Sequence, residues 1–224
     1  MKKKTLSKIF MTLGLLLLFA AAGVSGYNII EERNADAESA IVLNHVAEII
    51  PEGVTRKDNE AIEDPEEWEI PAYVLDPNRE MPTVEVEGYQ YIGVLEVPSI
   101  ELELPIMSTW DDTKLKITPC RYKGSAYQNN LIIAGHNYRS HFNPLKKFVG
   151  GEEVIFTDVE GNRFAYVVGD VETMKGTEVE RMEAGDWDLT LFTCTYNGQS
   201  RFALRCDLVD SYAKPAEMLG ARAN

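Results

Sequence analysis

Cys194 ends the run Leu189-Thr190-Leu191-Phe192-Thr193-Cys194, and Arg201 sits at the start of the next, Ser200-Arg201-Phe202-Ala203-Leu204. Far upstream, His136 follows Asn130-Leu131-Ile132-Ile133-Ala134-Gly135. A thiol attacks a carbonyl only as the thiolate, which is a minor species near neutral pH, so a nucleophilic cysteine needs a partner. An imidazole can protonate a leaving amine and later deprotonate an incoming one. A guanidinium keeps its proton and can hold a substrate carbonyl or the oxyanion that develops from it. Cys194 as nucleophile, His136 as acid and base and Arg201 as oxyanion holder would together perform acyl transfer. Arg205, in the same run as Arg201, is the alternative guanidinium.

All three groups sit at the edges of short apolar, β-branched or aromatic runs flanked by turn residues, the pattern of buried strands. Further strands are expected over 91–97 (YIGVLEV), 102–107 (LELPIM), 131–134, 153–157 (EVIFT), 163–168 (RFAYVV, prolonged over 171–174), 189–193 and 201–209. Asp158-Val159-Glu160-Gly161-Asn162 marks a hairpin between two of them. Short helical segments are expected over 109–117 and 141–148, and 170–188 is mostly polar. Many short strands with little helix predict an all-β fold, a closed barrel with a few short helices.

The chain's 224 residues, 45% hydrophobic, suffice for one sizeable domain with appendages. A net charge of −14 argues against nucleic acid, which demands clustered Lys and Arg. The three cysteines, Cys120, Cys194 and Cys206, are an odd number, so a disulfide framework is not the basis of stability. Cys120 and Cys206 read as core residues. No cofactor and no metal is expected.

Lys2, Lys3, Lys4 and Lys8 precede an uncharged run over 9–26, and Glu31, Glu32 and Asp36 follow it. As a helix that run is roughly 27 Å long, enough to cross a hydrocarbon core. The lysines keep the N-terminus cytoplasmic. A cleaved signal peptide is the other reading, and both export the domain. Residues 34–50 carry apolar positions at helical spacing up to Pro51, as a stalk or a docked helix. The acidic, proline-punctuated stretch that follows reads as extended linker. Within it Trp68, Ile70, Tyr73, Val74 and Leu75 form one apolar island, a pin onto the domain or a lid. The expected organisation is a basic tail and transmembrane anchor over 1–30, a helical and extended linker over 31–87, the barrel over 88–212 and a tail over 213–224.

Thr190-Leu191-Phe192-Thr193-Cys194 resembles the Thr-Leu-x-Thr-Cys signature of the sortases, the cysteine transpeptidases of Gram-positive bacterial surfaces. Ile133-Ala134-Gly135-His136 is similar to the segment carrying the sortase histidine, and Arg201-Phe202-Ala203-Leu204 to the strand that opens on its arginine. The resemblance spans 89–209 and implies the sortase β-barrel. It implies that Cys194 cleaves an LPxTG-like C-terminal sorting signal to leave a thioacyl enzyme, with His136 as acid then base and Arg201 on the oxyanion. It further implies Thr193, and with it Thr190, as substrate contacts. The acceptor would be an amine from a cell-wall precursor or a pilin lysine, so that proteins are attached to the wall or pilins polymerised.

Two rivals belong to other classes. Another exported cysteine hydrolase or peptidoglycan transpeptidase would use the same thiol. The Ser-His-Gly-Cys type of signature of L,D-transpeptidases is absent, however, and papain-like proteases place Cys before His, the reverse of this chain. A non-catalytic surface module would use Cys194 structurally.

Overall fold

Runs of β-branched and aromatic residues, broken by Gly, Pro, Asn and Asp, become nine strands in the computed structural model, which describes residues 2–51, 70–195 and 198–211. They are β1 (Val84–Val86), β2 (Tyr89–Val97), β3 (Leu102–Met107), β4 (Cys120–Lys123), β5 (Leu131–Gly135), β6 (Glu153–Asp158), β7 (Arg163–Lys175), β8 (Leu189–Cys194) and β9 (Ser200–Ser211). The order is β1-β2-β3-β4-β5-β8-β9-β7-β6, and β2 also pairs with β6, which closes eight strands into a barrel and leaves β1 as an added edge. Closure removes the exposed edges that an open sheet would present. Gly93 sits on the closing seam with φ +154°, where a Cβ would run into the Thr157 carbonyl of β6.

Alternation sorts the side chains. Ile92, Leu95, Val97, Leu104, Ile106, Leu131, Ile133, Phe156, Phe164, Tyr166, Leu189, Leu191 and Leu204 fill the barrel interior. Cys206 joins them, and burial pushes its thiol pKa far up. Cys120 is buried in a second cluster outside the barrel, and burial pushes its thiol up to about 12. Neither thiol ionises near neutral pH, as expected of core cysteines.

The N-terminal half differs from expectation in continuity. The apolar run and the amphipathic stretch form one helix, α1 (Lys2–Ile49), because 27–33 (YNIIEER) holds neither Gly nor Pro to break it. Its apolar part is compatible with a membrane anchor. Further along, Ala35, Ser39, Val42 and Val46 lie at helical spacing and are all at most 4% exposed. Val42 and Val46 pack on Val86, Tyr91, Val94, Met107 and Cys120, each valine contributing about 1.5–3 kcal/mol of burial. The helix therefore docks on the barrel wall. Lys116 pairs with Glu31 at 2.6 Å, and Glu32 Oε1 accepts the Arg139 backbone N–H at 2.6 Å.

The linker is also more structured than its composition implies. Helix α2 (Ala72–Leu75) inserts Tyr73 into the main core, its ring stacked on Tyr127 at 4.7 Å. β1 pairs with β2 through a hairpin whose turn residues Glu87 and Gly88 both have positive φ, as a type I′ turn requires. Trp68 lies outside the described residues. Of the apolar island, the described Ile70, Val74 and Leu75 flank the buried Tyr73.

Candidate active site

β8 runs between β5 and β9, parallel to the first and antiparallel to the second. Gly135 is registered with Thr193 on two adjacent parallel strands about 4.8 Å apart, so Cys194 ends β8 at the level where His136 follows the end of β5. Across the other edge Cys194 is registered with Arg201, so the two side chains leave the same face of the sheet. The thiol is thus flanked by the imidazole-bearing and the guanidinium-bearing chain.

The connection between Cys194 and Arg201 is tight. The Thr195 N–H donates to the Ser200 carbonyl at 3.0 Å, and the Gly198 N–H to the Thr195 carbonyl at 2.9 Å. Arg201 Nη1 donates to the Gly198 carbonyl at 3.0 Å and the Ser200 carbonyl at 3.3 Å, which fixes the guanidinium over its own turn. Gly176, after the end of β7, leaves room for it: a Cβ there would lie 3.1 Å from Arg201 Nη1.

His136 is held by the loop that it opens. Its carbonyl accepts the Phe142 N–H at 3.2 Å, and the Tyr138 carbonyl accepts the N–H groups of His141 and Asn143 at 3.1 Å each. Phe142 lies over Gly135, where an added Cβ would fall 2.5 Å from its Cγ. Tyr138 stacks on the His136 ring, and fully buried His141 is tilted against Tyr138. Burial lowers the His136 pKa below its ordinary value, with the Glu31 carboxylate acting in the opposite direction. Burial, and then the neighbouring His136, push His141 down to about 4, so it is neutral near pH 7.

Cys194 is free and half-buried, whereas Cys120 and Cys206 are sealed. It opens on a cavity of about 260 Å³, whose floor includes Ala134, Gly135, Phe192, Thr193 and Arg201. Its roof is α3 (Val179–Glu183) through Val179 and Met182, and Trp110 and Tyr122 form a side wall. Thr193 is 2% exposed, and its hydroxyl has no hydrogen-bond partner among the described residues. The island of the linker, as far as it is described, contributes nothing to the lining.

Two sequence candidates are placed elsewhere. Arg205 is 1% exposed and fully engaged: Nε on Glu172 Oε1 at 2.7 Å, Nη1 on the Met182 carbonyl at 2.8 Å and Thr190 Oγ1 at 2.9 Å, and Nη2 on the Arg181 carbonyl at 2.7 Å. It clamps the roof to the sheet, which removes it as an alternative to Arg201. The same bond corrects the expectation for Thr190, which is buried beneath the roof, does not line the cavity and spends its hydroxyl on Arg205.

Sequence reasoning also missed Lys146. It lies in the single turn Pro144–Lys147, its ammonium donates to Asn137 Oδ1, and burial lowers its pKa, with Cys194 acting in the opposite direction. Only its place two residues after Asn-Pro hinted at a fixed position. Among the described residues, no cluster of three or more His, Cys, Asp or Glu could hold a metal ion.

Comparison with known proteins agrees with this architecture. A family model of the sortase domain matches residues 95–209. Sortase A of Listeria monocytogenes is 27% identical over 212 residues, 87% of this chain and 85% of that protein. Sortase A of Bacillus anthracis is 27% identical over 143 residues, 60% of this chain and 68% of that protein. The crystal structure of the Listeria sortase A superposes with a TM-score of 0.50 at 22% identity, covering 58% of this chain and 95% of that one, which establishes likeness of fold.

Proposed function

The chain belongs to the sortase family of transpeptidases, and from that premise we propose that it is a membrane-anchored cysteine transpeptidase that cleaves LPxTG-like sorting signals and transfers the acyl part to an amine. The Cys194 thiolate adds to the scissile carbonyl, and the oxyanion is held by Arg201. The C–N bond then breaks, the leaving amine takes a proton from His136, and a thioester remains on Cys194. An incoming amine, from a cell-wall precursor or a pilin lysine, gives its proton to His136 and attacks the thioester. The C–S bond breaks, and the product leaves as a new amide with Cys194 regenerated. Thr193, next to the nucleophile and in the lining of the cavity, is the proposed substrate contact.

One observation carries these assignments: the register of three neighbouring strands puts Cys194 between the chain ends bearing His136 and Arg201. In the proposed organisation, 1–30 are tail and anchor with the N-terminus cytoplasmic, 31–87 are linker, and the catalytic barrel over 88–212 lies outside the cell, followed by a tail. Intact protein in washed membranes would support a retained anchor, and a shortened soluble species would overturn it.

The test of the chemistry is incubation with a library of LPxTG-like peptides, followed by mass measurement of the trapped acyl-enzyme. Wild type should gain the mass of the N-terminal peptide fragment on Cys194. C194A should gain none and H136A almost none, while R201A stays folded and acylates far more slowly. Turnover by C194A would end the proposal.

A further inference from the structure

A second cavity, of about 450 Å³, lies against the first and shares Trp110 and Tyr122 with it. From Cys194 the sheet leads back along β8 to Phe192, whose ring meets Tyr122 of β4 edge-on at 5.4 Å, and Tyr122 in turn packs on Trp110 at 5.4 Å. Beyond that aromatic ridge lie Arg121 and Lys123, on the part of β4 that runs away from the His136 end of β5. The second cavity therefore continues the first in the direction leading away from the sulfur.

Its charges are unequally engaged. Lys123 is paired with Glu183, and Arg79 with Glu160 at 2.8 Å. Half-buried Arg121 donates through Nε to the Ser108 carbonyl at 2.8 Å, and its two terminal nitrogens meet no partner among the described residues. A guanidinium held at one nitrogen and open at two, in the wall of a polar cavity, is built to receive an oxygen pair.

We infer that this cavity receives the substrate residues that precede the cleaved motif, and that Arg121 selects a carboxylate side chain among them. The inference rests on the transpeptidase function proposed above. In a thioacyl enzyme the retained peptide is the part N-terminal to the scissile bond. Its last residues fill the cavity beside Cys194, and the preceding ones must leave it over the Trp110–Tyr122 ridge.

The test compares LPxTG-like peptides carrying Glu, Gln or Lys at each of the four positions before the motif, with kcat/KM for acyl-enzyme formation as readout. Wild type should prefer Glu over Lys at one or two adjacent positions by about fivefold or more. R121K should keep the preference, R121M should bring the ratio close to one and R121E should invert it, with melting curves as the folding control. Equal rates for Glu and Lys in wild type, or an unchanged preference in R121M, overturn the inference. If R121M does not fold, R121Q takes its place in the same comparison. A protein that no peptide acylates would instead overturn the transpeptidase function, so the two failures are distinguishable.

Discussion

The phenol ring of Tyr138 lies flat on the imidazole of His136, with centroids 4.1 Å apart and planes 4° from parallel. His136 is the first ring of the loop after β5, and this stack both orients it and keeps water off one face. Y138A should therefore lower kcat/KM by about three- to tenfold, the worth of such a ring contact, while Y138F stays near wild type. Burial is the main cause of the lowered His136 pKa, so opening that face should also raise it toward its ordinary value. NMR titration of the imidazole checks this. An unmoved titration midpoint in Y138A would assign the stack a purely mechanical role.

Lys146 lies close enough to Cys194 for the two groups to interact electrostatically, without being part of the sequence signature. Its positive charge attracts anionic reagents to Cys194. K146M should slow alkylation by iodoacetate more than by the neutral iodoacetamide, lowering the ratio of the two rates by about three- to tenfold at low salt. An unchanged ratio would mean that the ammonium is directed elsewhere.

The sequence was most readable where local pattern and tertiary structure agree. β2, β3 and β5 to β9 follow from apolar or alternating runs between turn residues, whereas closure rests on the β2–β6 pairing, which no local pattern announces. β4, with the sequence Cys-Arg-Tyr-Lys, carries no such pattern and exists by its pairing with β5. β1 is three residues in an acidic, proline-rich stretch, and α3 is one turn without a capping side chain. The two arginines of β9 show a further limit. Arg201 and Arg205 lie four positions apart and leave the same face, so alternation does not distinguish them. Register does, because Arg201 faces Cys194 and Arg205 faces Thr190. Lys146 and Tyr138 reach the site by loop packing, which leaves no periodic trace.

Gly135 is the residue immediately before His136, and the Phe142 ring occupies the place of its missing side chain. G135A should push that ring away and, through the Phe142 N–H bond to the His136 carbonyl, displace the loop. A loss of about 1–3 kcal/mol in stability is expected, with reduced turnover. The double variant G135A/F142L should recover part of both, since it removes the ring that the methyl group strikes. Additive losses in the double-mutant cycle would show that the two positions do not interact.

Arg201 and Arg205 should separate cleanly by what they damage. R201M should leave the melting temperature near wild type and lower the acylation rate by about 10²–10³-fold. R205M should instead cost about 2–4 kcal/mol, because it strips Glu172, Thr190 and two carbonyls of a buried donor and frees α3 from the sheet. The pH dependence gives an independent check. Burial alone would raise the Glu172 pKa, but Arg205 and Arg181 outweigh it and hold the carboxyl below its ordinary 4.5. A depressed carboxyl pKa contributes stability that is present in full above the ordinary value and lost as pH falls through the lowered one. The stability gap between wild type and R205M, read from urea unfolding, should thus be constant from pH 7 down to about 5 and narrow below 4.5. A gap that stays constant into acid would mean that Arg205 acts through the carbonyls of α3 alone.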